Sequence, residues 1–143
     1  MNDPRTGTKL CIATPLFFPT YGGAQLRYLR YLPGLLSRGL DVSVFTGTAT
    51  PVDYTPDEVF EAWSHYATGT MLPVETINGA AVHRVRLPEH SGGRRRWIFN
   101  RNLLRYCRDP AHLPEVLQLL GTIRVGSIPY VRRLQRLGLS LIH

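Results

Sequence analysis

Three stretches decide the fold: Lys9 to Thr14 (KLCIAT), Gly22-Gly23, and Leu40 to Thr46 (LDVSVFT). The first is a short apolar run of the kind that forms a strand buried on both faces. Pro15 to Tyr21 follows as a loop with two prolines, and the glycine pair then opens a helical stretch. Leu26, Leu29, Leu32, Leu35 and Leu36 recur at helical spacing, so one face of that stretch is apolar. Gly39 stands where a helix C-cap belongs, and Val42, Val44 and Phe45 mark the second strand. Strand, helix and parallel strand make a βαβ unit, the seed of a parallel α/β sheet.

The pattern extends in both directions from this unit. Pro33-Gly34 interrupts the leucine helix, and an interior proline loses a backbone hydrogen bond, which predicts a kink or two shorter helices. Thr55-Pro56-Asp57-Glu58 is a capping box that starts a helix running to about Tyr66. Asn78-Gly79 lies between Val74–Ile77 and Ala80–Leu87, a hairpin signal whose second strand can join the main sheet. His90 to Arg96 reads as a basic loop, Trp97–Arg108 and Leu113–Leu120 as helices, and Ser127 as the cap of a helix ended by Gly138. Leu139 to His143 is an apolar strand signal. Together these predict a Rossmann-like parallel sheet with the first strand central, flanked by the second and the terminal strand. Because the chain ends on a strand of a type normally covered by neighbours, residues 1–143 are expected to be the incomplete front portion of a longer doubly wound domain.

The chain has 143 residues, 43% of them apolar and 19% charged, enough for one cored domain and unlike a disordered composition. No run approaches the roughly 18 apolar residues of a membrane span, and no apolar segment follows Met1 to Arg5 as in a secretory signal. Cys11 and Cys107 do not make a disulfide framework, so the expected location is cytoplasmic. The charge is uneven. Residues 1–83 carry five basic and seven acidic groups, whereas residues 84–143 carry twelve and three. Such a half is drawn to phosphate, on a nucleotide, a nucleic acid or an anionic lipid.

In an open α/β sheet, ligands bind beyond the carboxyl ends of the strands, where Pro15–Gly23 lies. Adjacent glycines expose backbone amides at a helix start, which suits a phosphate, although the same pair also makes a tight turn. The spaced glycines and second-strand acid of a dinucleotide site are absent, as second strand ends Phe45-Thr46-Gly47-Thr48. The phosphate-loop lysine is absent too, Lys9 being the only lysine.

The ordered set of Lys9–Thr14, Phe18-Pro19, Gly22-Gly23, the leucine helix, Ser37–Thr46 and Asn78-Gly79 to Val85 resembles the opening of a retaining GT-B glycosyltransferase of family four. The likeness is good over residues 9–48, fair over 74–87 and weak over 88–138. It implies transfer of a sugar, with retention, from a nucleotide-diphosphate sugar to a hydroxyl acceptor, without a metal or other cofactor. By the resemblance, Gly22 and Gly23 face the donor diphosphate, and Phe18, Pro19 and Tyr21 shape the acceptor side. His143 matches a strand end where members often place a functional histidine. Leu40 replaces the family's common histidine, and Pro33-Gly34 departs from its uninterrupted helix. The donor-binding domain with its paired glutamates is not among these 143 residues, so the chain by itself is expected to be inactive. The resemblance names neither the sugar nor the acceptor.

Other residues invite competing readings. Arg94-Arg95-Arg96 beside Trp97 and Phe99 can touch an anionic membrane holding a lipid-linked acceptor, or can be a solvated loop leading into a core helix. A non-enzymatic basic module, binding nucleic acid or anionic lipid through Arg84 to Arg136, is the alternative function. His65, His83, His90 and His112 lack metal-ligand spacing, and His83 reads as a partly exposed strand residue. Cys11 reads as a small apolar filler of the first strand.

Overall fold

A computed structural model describes residues 8–15, 17, 23–48, 57–88, 92–119 and 128–142. It is an α/β fold of six strands and four helices among those residues. The strands are β1 (Lys9–Thr14), β2 (Asp41–Gly47), β3 (Glu75–Ile77), β4 (Ala80–Val85), β5 (Val116–Leu119) and β6 (Ser140–Ile142). The helices are α1 (Gly23–Ser37), α2 (Asp57–Ser64), α3 (Gly92–Arg108) and α4 (Ile128–Gln135). The sheet order is β3-β4-β2-β1-β5-β6, with every neighbouring pair parallel except β3 with β4.

Strand β1 lies between β2 and β5, with Ile12 opposite Val44 on one side and Gln118 on the other. Its side chains alternate between two cores. Cys11 and Ala13 join Phe45, Val85, Leu117 and Leu119 beneath Phe99, Leu103 and Cys107 of α3 and Leu134 of α4. Ile12 joins Val42, Val44, Ala80 and Val82 beneath Leu29, Leu32, Leu35 and Leu36 of α1. Helices on both faces are what a mostly parallel sheet requires, and the arrangement is Rossmann-like.

Three expectations are corrected. Leu113–Leu120 contains strand β5, not a helix: Leu117 and Leu119 are buried while Val116 and Gln118 are half-buried, the two-residue alternation of a strand. The terminal strand therefore does not neighbour β1; β5 takes that slot and β6 pairs outside it, Leu141 opposite Leu117. Helix α3 also begins at Gly92, so Arg94, Arg95 and Arg96 belong to its first turns and not to a loop. The capping box at 55–58 and the cap at Ser127 fall partly or wholly outside the described residues.

Helix α1 runs through Pro33 as a single 15-residue element. Proline has no N–H for the carbonyl four residues back, which is that of Leu29. The Asn78 side chain supplies the missing donor: its Nδ2 lies 3.2 Å from the Leu29 oxygen. Asn78 can do so because it sits at φ 50°, followed by Gly79 at φ 87°, the left-handed pair of a tight hairpin turn. A β-carbon on Gly79 would come within 2.8 Å of Leu36 Cδ1, so the turn is pressed against α1. The helix then closes on Gly39 (φ 85°), whose N–H reaches the Leu36 carbonyl at 3.0 Å while that of Leu40 reaches Leu35 at 3.4 Å. That pairing is a Schellman cap.

The outer edge of β4 is covered along its length. The β3 strand pairs with its first half, and Gly69 to Leu72 bonds to its second half through Arg84 and Arg86.

Asn78→Asp keeps the turn conformation but removes the donor, and should cost about 1 kcal/mol. In a Pro33→Ala background, where residue 33 regains its N–H, the same change should cost clearly less. Equal costs in a double-mutant cycle of urea denaturation would show that the two sites are not coupled.

Candidate functional site at the carboxyl edge

The carboxyl ends of β1, β2 and β4 align three threonines with two arginines. Thr14, Thr46 and Arg84 face one another in register across the three strands. Thr46 and Arg84 are fully buried, and Thr48 and Arg86 follow two residues further on, buried as well. All four point to the face that carries α1, since they continue the alternation of Val44 and Val82.

The arginines are held by specific partners. Arg84 donates from Nε to Glu75 Oε1 at 3.2 Å, and its guanidinium lies 4.9 Å from the centre of the Trp63 ring. Burial lowers its pKa and Glu75 opposes that shift. Arg86 donates from Nη1 to the Leu87 carbonyl at 2.6 Å and reaches Thr48 Oγ1 at 3.5 Å, with the Phe60 ring 5.8 Å from its guanidinium carbon. Helix α2 thus supplies aromatic faces to both cations, a favourable placement for arginine. Thr48 Oγ1 also accepts the Leu87 N–H at 3.0 Å, and the Thr48 N–H bonds to Val85. The segment after β2 is tied to the segment after β4.

Gly47 is required for that closeness. A β-carbon there would collide with Leu87 Cδ1, lie 2.9 Å from Leu87 Cγ and approach the Pro15 oxygen to 3.3 Å. Leu87 is only 3% exposed, so it has little room to retreat.

Gly23 is the first residue of α1, at the same edge, as a glycine opening the helix requires. Gly22, Phe18, Pro19 and Tyr21 lie outside the described residues. Phe17 is buried in the core under α1 and anchors the β1–α1 connection there. His143 also lies outside the described residues; β6 ends at Ile142. Helix α3 follows the carboxyl end of β4, so Arg94, Arg95 and Arg96 start at this edge too. Neither α1 nor α3 has an acidic residue in its first turn, where carboxylates would normally balance the helix dipole. Two helix starts, one on each face, lie at the carboxyl edge with the buried Arg84 and Arg86 and with Arg94, Arg95 and Arg96, a field suited to an anion.

The opposite, amino edge holds a cluster that the sequence reading missed. His83 of β4, Tyr106 of α3 and His112 line a cavity of about 170 Å³ with Lys9, Asp41 and Ser43. The Tyr106 and His112 rings stack at 4.6 Å and 6°, and His83 is 4.7 Å from the first and 5.2 Å from the second. Tyr106 Oη lies 3.1 Å from Ser43 Oγ, and Asp109 lies 3.5 Å from His112 Nδ1. His83 is buried, not partly exposed, because α3 and the 109–114 turn fold over it. Alternation along β4 put it on the α3 face; only the tertiary packing shows that the face is closed there. Cys11 is the expected filler, its thiol pushed up to about 12 by burial. Burial raises the Cys107 thiol as well. Among the described residues no group of three His, Cys, Asp or Glu side chains is placed to hold a metal ion.

No protein-family model matches this chain, and no curated protein matches it.

Gly47→Ala should destabilise the domain by about 1–3 kcal/mol, the range for overpacking a filled site, read as a lower urea midpoint. For His83, burial and then the neighbouring His112 lower the pKa from 6.5. The unfolded chain takes up this proton first, so stability is lost as pH falls below about 6.5 toward the folded value. Tyr106 and His112 pack on the imidazole, Lys9 and Asp41 line the same cavity, Asp109 contacts His112, and all of them remain in a His83→Gln variant. The thermal midpoint of that variant should fall less steeply between neutral and mildly acid pH than that of the parent chain.

Proposed function

We propose that the chain is the acceptor-side, Rossmann-like portion of a retaining GT-B glycosyltransferase that uses a nucleotide-diphosphate sugar. One observation carries this reading: the carboxyl edge brings together the Gly23 start of α1, the Thr48–Arg86 link and the acid-free first turn of α3. Diphosphate oxygens there would meet backbone N–H groups at a helix start and a nearby guanidinium, the two donor types that stabilise them best. In the proposed reaction Gly22 and Gly23 let the diphosphate approach the backbone, and the loop with Phe18, Pro19 and Tyr21 guides the acceptor hydroxyl. A donor-binding domain with the paired glutamates completes the enzyme in this proposal, and His143 is its candidate catalytic histidine. No metal or organic cofactor is invoked, since cationic groups of the protein would offset the leaving diphosphate.

Titrating the isotopically labelled chain with a nucleoside-diphosphate sugar should move the amide resonances of Gly23, Thr48 and Arg86. Gly23→Val should weaken that response about tenfold or more by displacing the phosphates from the helix start, with the circular dichroism spectrum unchanged. Resonance changes confined to the His83 cavity, or identical titrations of both proteins, would remove the support for a donor site at this edge.

A further inference from the structure

Helix α3 has two opposite characters. Ile98, Phe99, Leu103, Leu104 and Cys107 are buried against the sheet. Arg94, Trp97, Arg101, Arg105 and Arg108 are exposed, at successive spacings of three, four, four and three, which is one helix face. Helix α4 packs beside it on the same face of the sheet through Leu134 and adds the exposed Arg132 and Arg133, with the exposed Arg136 just beyond its end. Neither helix contains an aspartate or glutamate. Trp97 is 49% exposed, and the Arg101 guanidinium carbon lies 5.2 Å from its ring centre.

We propose that this two-helix face is a docking surface for an anionic lipid bilayer. It differs from the triplet read in the sequence, because Arg95 and Arg96 are half-buried and the outward stripe runs the length of α3 instead. Guanidinium groups bind phosphate in a bidentate manner, and an exposed indole beside them suits the headgroup layer. Shape favours a membrane over nucleic acid. Two helices side by side, each about 10 Å across, make a plate wider than the roughly 12 Å major groove of a duplex. Single strands are held by several stacking aromatics in succession, and Trp97 is the one strongly exposed aromatic of this face among the described residues. The inference does not depend on the proposed sugar transfer.

Co-sedimentation of the chain with vesicles tests it. Vesicles containing roughly one-third phosphatidylglycerol should bind the chain, those of phosphatidylcholine alone should not, and about 1 M salt should release it. Each exposed arginine contributes about fivefold to partitioning, so Arg101→Gln/Arg105→Gln/Arg108→Gln should weaken binding on the order of 100-fold. Trp97→Ala should lose the blue shift of tryptophan emission that vesicles induce. Arg30→Gln/Arg38→Gln, altered on α1 and in the turn that ends it, across the sheet, should bind as the parent does, and circular dichroism melting establishes that each variant is folded. Vesicle binding unchanged in the folded α3 triple variant would overturn the proposal. Tighter binding to duplex or single-stranded nucleic acid than to the anionic vesicles at equal salt, lost in the same variant, would also overturn it.

Discussion

Strand β1 must be covered on both faces and paired on both edges, and the rest of the fold satisfies that demand. Its residues Leu10 to Ala13 bond to β2 on one side and β5 on the other. An uncovered face would expose apolar side chains to water, and an unpaired edge inside the sheet would leave buried backbone N–H and C=O groups without partners, and both are costly. Cys11 and Ala13 are small, which lets α3 come close and brings Phe45 within 5.3 Å of Phe99 and 5.2 Å of Tyr106. Ile12 on the other face is met by the leucines of α1. Once both helices are docked, the carboxyl ends of the parallel strands lie where α1 and α3 begin. The candidate site is a consequence of the way β1 is buried.

The position of Pro33 follows from the same demand. Leu29, Leu32, Leu35 and Leu36 have to remain on one continuous face to cover Ile12, Val42 and Val44, so a break at residue 33 would turn half of them away. The hairpin resolves this by lending the Asn78 amide to the Leu29 carbonyl. From sequence, Pro33 was visible as a helix breaker and Asn78-Gly79 as a turn, but nothing local links Asn78 to Leu29, 49 positions away. The strands β1, β2 and β4, the hairpin and the glycine caps were legible because each rests on residues within a few positions. Strand β5 was not, since Val116 to Leu119 is too short to show its period and the slot beside β1 decides its conformation. The early start of α3 was hidden by Gly92-Gly93 and three arginines, residues that by themselves favour a loop over a helix start.

The candidate site was legible only in part. Gly22-Gly23 stands out as a local motif, whereas Thr48 and Arg86 lie on separate strands and meet through the parallel pairing of β2 with β4. Neither residue type is unusual at a strand end, so no spacing rule could have joined them. His83 and His112 likewise lack ligand spacing, yet end 5.2 Å apart because α3 returns the chain to the amino edge.

The described arginines of the second half fall by position into three groups. Arg84 and Arg86 are buried beneath Trp63 and Phe60, where a cation is tolerated because an aromatic face and hydrogen-bond acceptors replace water. Arg94 to Arg96 raise the potential at the carboxyl edge. Arg101, Arg105 and Arg108 are exposed along α3, and Arg132, Arg133 and Arg136 are exposed on the neighbouring α4 and just beyond its end. Because α3 starts at the carboxyl edge, the outward stripe and the edge share one end. An anionic surface lying along the stripe would therefore end beside the strand termini, at the edge where parallel strands leave room for a ligand.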